Sequence, residues 1–245
     1  MSPRRPSLLA TAAAAATLLL TAAGAAQTVE GTPGNDNLRG TSGADQIDGK
    51  GRNDTIRGLG GPDQIDGGPD SDRLFGGPGN DTILGADCRV GDVGRFCDNP
   101  GHELLRGGNG NDLLLANRCV VRACSDHPFI ALDSVFSGGR GSDRITGADH
   151  RDRISGGPGS DRLRGLFGRD RLNGGRGKDR LFGGAGADSL QGGDQADILL
   201  GGRGGDTILA RGGTRDRVWC GPGRDRAVVD RLDRTKGCER VSRPG

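Results

Sequence analysis

The chain has 245 residues, of which 49 are glycine, one is tryptophan and none is tyrosine, and its aromatic content is 3%. A globule of this length holds far more aromatic and branched apolar volume, so an ordinary enzyme core is excluded; either the chain is disordered or something other than a core orders it. Among 32 acidic residues only Glu30, Glu103 and Glu239 are glutamate, and among 34 basic residues only Lys50, Lys178 and Lys236 are lysine, a bias toward short Asp and Gly that suits tight turns and oxygen-rich metal sites rather than helices.

Residues 1–26 read as a secretory signal: Arg4 and Arg5, an apolar run from Leu8 to about Ala23, and small residues ending Gly24-Ala25-Ala26. Cleavage is expected after Ala26, and no transmembrane segment is expected to remain. A membrane anchor is the competing reading, but the run is short and broken by Thr11, Thr17 and Thr21. Export through the general or the twin-arginine route stays open, and the absence of a nearby Cys speaks against a lipid anchor. Losing the two arginines leaves 32 bases against 32 acids. The mature chain is therefore neutral, which removes any charge argument for nucleic-acid binding.

From Gly31 onward the chain is periodic. Cut every nine residues, it reads GTPGNDNLR, GTSGADQID, GKGRNDTIR, GLGGPDQID, GGPDSDRLF and GGPGNDTIL to Leu84; GGNGNDLLL stands alone at 107–115; eight more units run from Gly138 to Leu209. Position 6 is Asp in all fifteen units: Asp36, Asp45, Asp54, Asp63, Asp72, Asp81, Asp112, Asp143, Asp152, Asp161, Asp170, Asp179, Asp188, Asp197 and Asp206. Position 8 is Leu or Ile in every one. Two looser units follow at 211–219 and 220–228 after a slip at Ala210.

Glycine at positions 1, 2 and 4 permits positive φ and a tight turn. Positions 7 to 9 predict a short strand with one apolar residue pointing inward. One Leu or Ile per nine residues cannot bury a face alone, so units must stack, with an apolar column inside and a column of Asp along each row of turns. Like charges one strand spacing apart, ~5 Å, repel unless a cation lies between them. Carboxylates and turn carbonyls are hard oxygen donors that suit Ca²⁺, whereas His102, His127 and His150 show no zinc or copper spacing.

The unit Gly-Gly-x-Gly-x-Asp-x-(Leu/Ile)-x resembles the haemolysin-type calcium-binding repeat of RTX proteins. That resemblance implies an all-β fold, a parallel β-roll (a right-handed β-solenoid), with Ca²⁺ held between turns two units apart by the position-6 Asp and turn carbonyls. Carried over, one row is Asp36, Asp54 and Asp72, opposite Asp45, Asp63 and Asp81; in the second block the rows are Asp143, Asp161, Asp179 and Asp197, and Asp152, Asp170, Asp188 and Asp206. These rows hold ten adjacent pairs. Turns with Arg52, Asp70, His150 or Gln195 at position 4, or Thr32, Thr41, Lys50, Leu59, Ala148 or Leu166 at position 2, are expected to bind weakly or to be only structural.

The roll is thus expected in two blocks, 27–84 and 138–209. Between them, 85–137 contains two 22-residue breaks, 85–106 and 116–137, flanking the lone repeat; Asp81, Asp112 and Asp143 stand at equal steps of 31. The breaks read as looped-out rungs. Residues 210–245 form degenerate repeats and a cap with Val228, Val229, Leu232 and Val241. Six cysteines in an exported chain suggest three disulfides, and proximity favours 88–97, 119–124 and 220–238 among fifteen pairings, with a metal-thiolate cluster as the alternative.

No HExxH, GxSxG or phosphate-loop motif is present, so no enzyme activity is expected. The expected function is secreted, extracellular calcium binding coupled to folding, with a structural or adhesive use. Two alternatives remain: a polyanion or acidic-polysaccharide adhesin using outward Arg144, Arg153, Arg162, Arg171 and Arg180, and a secreted hydrolase using His102, Glu103 or His127.

Overall fold

The computed structural model describes residues 24–85, 104–115, 133–212 and 214–243. Each nine-residue unit makes one strand, and successive strands fall alternately into two sheets. Thr28–Glu30 begins one and Asn37–Arg39 the other. Each sheet holds eleven strands among the described residues, and every pairing is parallel. The expected parallel β-roll is the fold observed.

The register follows from the repeat. In the first sheet Ile47 lies beside Ile65 and Ile65 beside Ile83, and the ladder continues through Leu163, Leu181 and Leu199. In the second, Leu38, Ile56 and Leu74 lie side by side. Two inward columns of single Leu or Ile residues meet back to back and form one buried cluster. Because the period of a strand is two, positions 7 and 9 face outward on either side of each buried residue.

From Arg73–Pro78 onward many strands lengthen to six or seven residues and run on through positions 1 to 3 of the next unit, as in Arg162–Phe167 and Arg171–Arg176. Position 1 thereby also points inward. A Cβ on Gly165 would strike the Asp170 carboxylate and the Gly183 carbonyl, so only glycine fits.

The described carboxyl-terminal ends of the two 22-residue breaks, 104–106 and 133–137, belong to the roll. Leu104–Asn109 pairs with Arg73–Pro78 on one side and with Ser134–Arg140 on the other, with Leu105 beside Leu74 and Phe136 beside Leu105. Both side chains are buried in the core. Each break therefore ends in a proper rung. The step along the column is 31 residues there and 18 within the two blocks, so the added chain is the 13-residue difference. The described strands that flank both additions end the first sheet at a position-9 Leu, Leu84 or Leu115, and resume in the second sheet at Leu104 or Ser134, so both lie between a first-sheet strand and the next second-sheet strand.

At the carboxyl end, Arg217–Trp219, Arg226–Val229, Arg234–Lys236 and Arg240–Ser242 continue both sheets, and Cys220 is bonded to Cys238 as expected. The cysteine pairs 88–97 and 119–124, with His102, Glu103, His127 and the signal segment through residue 23, lie outside the described residues.

Candidate metal columns

The position-6 aspartates stand in two rows, one along each edge of the roll, and their contacts follow one rule. The N–H of each Asp donates to Oδ1 of the Asp one rung further on: Asp45 to Asp63, Asp63 to Asp81, Asp143 to Asp161, Asp161 to Asp179 and Asp179 to Asp197, all at 2.8–2.9 Å. Their main-chain carbonyls meanwhile accept from the strand that follows, as Asp36 does from Thr55 N–H. The rows predicted for the two blocks are the rows observed, and the 31-residue steps join them on one edge: Asp81 donates to Asp112 and Asp112 to Asp143.

The other row runs Asp36, Asp54, Asp72 and later Asp152, Asp170, Asp188, Asp206. Between its halves Ser134 stands where an Asp stands elsewhere, buried and with its N–H on the Asp152 carboxylate; residue 103 lies outside the described residues.

The second carboxylate oxygen is the informative atom. In Asp54, Asp63, Asp81, Asp112, Asp143, Asp161, Asp170, Asp179, Asp188, Asp197 and Asp206, Oδ2 is buried without a hydrogen-bond partner; in Asp152 it is Oδ1. These side chains are 0–2% exposed. A native fold leaves few such atoms, and here one recurs at nearly every turn. An orphaned carboxylate oxygen costs several kcal/mol by order of magnitude unless it is neutralised or meets a cation.

The electrostatics say the same. Burial pushes Asp170 up to about 8, with the Asp152 N–H opposing the shift and the Asp152 and Asp188 charges adding to it. Asp72, Asp81, Asp152, Asp161 and Asp197 are held at about 7, and Asp54, Asp63, Asp112, Asp179 and Asp206 at about 6, burial being the largest cause each time. Asp143 and Asp188 are raised for the same reason. Without a counter-ion, burial disfavours the charged form of these carboxyls in both columns.

The donor set fits calcium. Around several position-1 glycines the orphaned oxygen and a main-chain carbonyl of the next rung converge, as Asp170 Oδ2 and Gly183 O do at Gly165, or Asp63 Oδ2 and Gly76 O at Gly58. No group of three or more His, Cys, Asp or Glu side chains gathers at one point among the described residues, so carbonyls must complete any coordination shell. A shell of carboxylate and carbonyl oxygens is what Ca²⁺ takes, in sets of roughly six to eight, and it offers zinc no soft ligand.

The turns that depart from the glycine pattern fall into two kinds. Lys50, Leu59 and Leu166 at position 2, and Arg52, Asp70 and Gln195 at position 4, adopt the positive φ of the glycines they replace, between 68° and 89°. Thr32, Thr41 and Ala148 do not. There the position-2 N–H donates to the carboxylate of its own turn: Thr32 to Asp36 at 2.6 Å, Thr41 to Asp45 and Ala148 to Asp152 at 2.7 Å.

Four acidic residues of the tail extend the rows and were not among the predicted ligands. Asp197 donates to Asp216 and Asp206 to Asp225, each 19 residues on, and Asp216 and Asp225 are buried to 1% exposure. Asp216 is pushed up to about 6 by burial, and Asp225 Oδ2 is orphaned. The looser units at 211–219 and 220–228 carried this signal, masked by the one-residue slip. Asp233 and Glu239, which accept from Asp216 and Asp225 at 2.8 Å, gave no signal.

Outward residues also stand in register. Arg144, Arg162 and Arg180 are neighbours on the first sheet, and Arg153 and Arg171 on the second. Beside the first row lies an open groove lined by Arg164, Phe182, Leu200, Arg203 and Trp219, where Arg164 sits 5.6 Å above the Phe182 ring.

No curated protein matches the chain. The model of the RTX calcium-binding nonapeptide repeat matches residues 23–51, 48–83, 99–118, 133–163, 155–190 and 173–208, well over half of the sequence. With its parallel roll, its aspartate columns and this match, the chain belongs to the RTX calcium-binding nonapeptide-repeat family.

Proposed function

We propose that this is an exported protein that works outside the cell, binds several calcium ions along both edges of its roll, folds as they bind and serves a structural or adhesive purpose without catalysing a reaction. The observation that carries the reading is the repeated orphaned carboxylate oxygen. Calcium supplies the positive charge and the oxygen affinity that these columns lack. The residues that would hold it are the position-6 aspartates from Asp54 to Asp206, with Asp216 and Asp225 added from the tail, together with the turn carbonyls beside them.

Coupling to folding follows from the balance of terms. The inner column offers one Leu or Ile per nine residues, too thin to offset chain entropy together with buried like charge. At cytoplasmic calcium the chain stays loose for export; at the exterior, ions fill the turns and the rungs close. Affinities of ~10⁻⁴–10⁻³ M match extracellular modules. Circular dichroism of the mature chain during a CaCl₂ titration tests this: the β signal should grow with calcium and collapse on adding EGTA. Full β signal in EGTA, unchanged by calcium, overturns the coupling.

A second reading has its own observation, the registered Arg144, Arg162 and Arg180 on the outer face. At one strand spacing, ~5 Å, such a row matches a polymer with regularly spaced negative charge, such as an acidic polysaccharide. Salt-sensitive retention on heparin, lost in an Arg144→Ala/Arg162→Ala/Arg180→Ala variant, would support it.

A further inference from the structure

Each aspartate column begins on a turn that closes itself. The columns start at Asp36 on one edge and Asp45 on the other, and the interrupted edge restarts at Asp152. These are the three turns whose position-2 N–H donates back to the Asp carboxylate. In the first two the closure is double. The Thr32 hydroxyl lies 3.0 Å from Asp36 Oδ2 and accepts the Gly34 N–H at 3.1 Å; the Thr41 hydroxyl lies 3.1 Å from Asp45 Oδ2 and accepts the Gly43 N–H at 3.0 Å. Asp45 Oδ1 is filled as well, by the Gln27 N–H at 2.8 Å.

At Thr32 and Thr41 the position-2 residue type accounts for the closed state; Ala148 shares that state without β-branching. A β-branched residue is strongly disfavoured at positive φ. Thr therefore leaves its N–H facing the carboxylate, whereas Lys50, Leu59 and Leu166 accept the left-handed conformation and their turns retain an orphaned oxygen on Asp54, Asp63 and Asp170. The far end of one column is closed in a comparable way: Asp233 takes the Asp230 N–H on Oδ2 and the Asp216 N–H on Oδ1.

We propose that Thr32 and Thr41 take the place of an ion at the first turn of each column, so that the amino-terminal rungs form without calcium and present a ready-made edge on which the calcium-dependent rungs assemble. This rests on the calcium reading above and deepens it, by dividing the turns into ion-dependent ones and two permanently closed ones. It removes Asp36 and Asp45 from the ion ligands that the repeat pattern suggests. The physical advantage is in nucleation: a parallel stack must close its first rungs before any later strand has an edge to pair with.

Hydrogen–deuterium exchange of the full mature chain, in calcium-free buffer and in CaCl₂, tests the idea peptide by peptide. Peptides spanning 28–48 should be protected in both buffers, whereas peptides spanning 162–209 should gain protection on the order of tenfold or more only with calcium. In Thr32→Gly/Thr41→Gly the first rungs should become calcium-dependent, and equilibrium dialysis should show more calcium bound per chain than in the parent. Thr32→Ser/Thr41→Ser, which keeps the hydroxyls, should behave as the parent does. If 28–48 exchanges as fast as the rest of the roll without calcium while the rest still responds to it, the closure idea falls and the calcium reading stands. If no peptide responds to calcium, the calcium reading itself falls.

Discussion

At the scale of single residues, backbone sign matters more than side-chain identity. Arg52 is exposed and sits at φ 68°, a conformation costly for any residue with a Cβ. Arg52→Gly removes a left-handed penalty of about 1–2 kcal/mol and gives back part of it as unfolded-chain entropy, so a net gain of about 0.5–1 kcal/mol, roughly 2–4 °C in melting temperature in CaCl₂, is expected. Gly141→Ala is the counterpart: at φ 136° its Cβ would overlap the Gly110 carbonyl, and a loss of at least about 3 kcal/mol should follow. Thermal melts of the two variants check both signs. Non-glycine residues at positions 2 and 4 read in the sequence as uniformly weakened turns. The structure separates them, because whether a turn keeps its shape depends on φ, which the residue type alone signals only for β-branched Thr.

At the scale of the rung, the aspartate columns set the response to pH. Their carboxyls have an ordinary value of 3.8 and are raised to about 6–8 in the fold, mainly by burial. A raised folded value means that the metal-free fold is favoured when the group is protonated. That contribution is fully present below about 3.8 and is lost as pH rises through 6–8. Metal-free chain should therefore hold more β structure at pH 5 than at pH 8. With calcium the order should reverse, since the ligands must be ionised and protons compete with the ion. Circular dichroism at the two pH values in calcium-stripped buffer and in CaCl₂ decides it, and a metal-free chain with more β structure at pH 8 would contradict the burial of charge.

The rungs also show how far periodicity reaches. Fifteen units, both Asp rows and the inward Leu/Ile columns were legible because period nine repeats the same three chemical requirements. The rungs at Leu105 and Phe136 were only suggested as looped-out units, since a lengthened turn erases the spacing and Ser134 and Phe136 replace the marker residues.

At the scale of the molecule, a solenoid has two ends and each must be closed. The carboxyl end is closed by Cys220–Cys238, a bond across 18 residues that joins buried Cys220 to the final rungs. Its removal as Cys220→Ala/Cys238→Ala should lower stability by about 2–3 kcal/mol. Because repeats couple mainly to their neighbours, the loss of exchange protection should concentrate beyond Arg203 and leave 28–48 as in the parent; loss spread evenly along the chain would count against this. The bracketing cysteines made this cap legible. Asp233 and Glu239, which finish the columns there, were not, because no repeat phase places them.

The two 13-residue additions have one more consequence. In the row that passes from Asp72 to Asp152, Ser134 interrupts the carboxylates, whereas the opposite edge runs from Asp45 to Asp233 through an unbroken series of Asp-to-Asp hydrogen bonds. With ions bound as proposed, the coupled sites form one continuous lattice, from Asp63 to Asp216, and one cut in two. Ion loss would propagate along the whole of the first, but on the second it would stop at the cut. Ser134 marks that boundary, where a state filled on one side and empty on the other would carry the least interfacial cost.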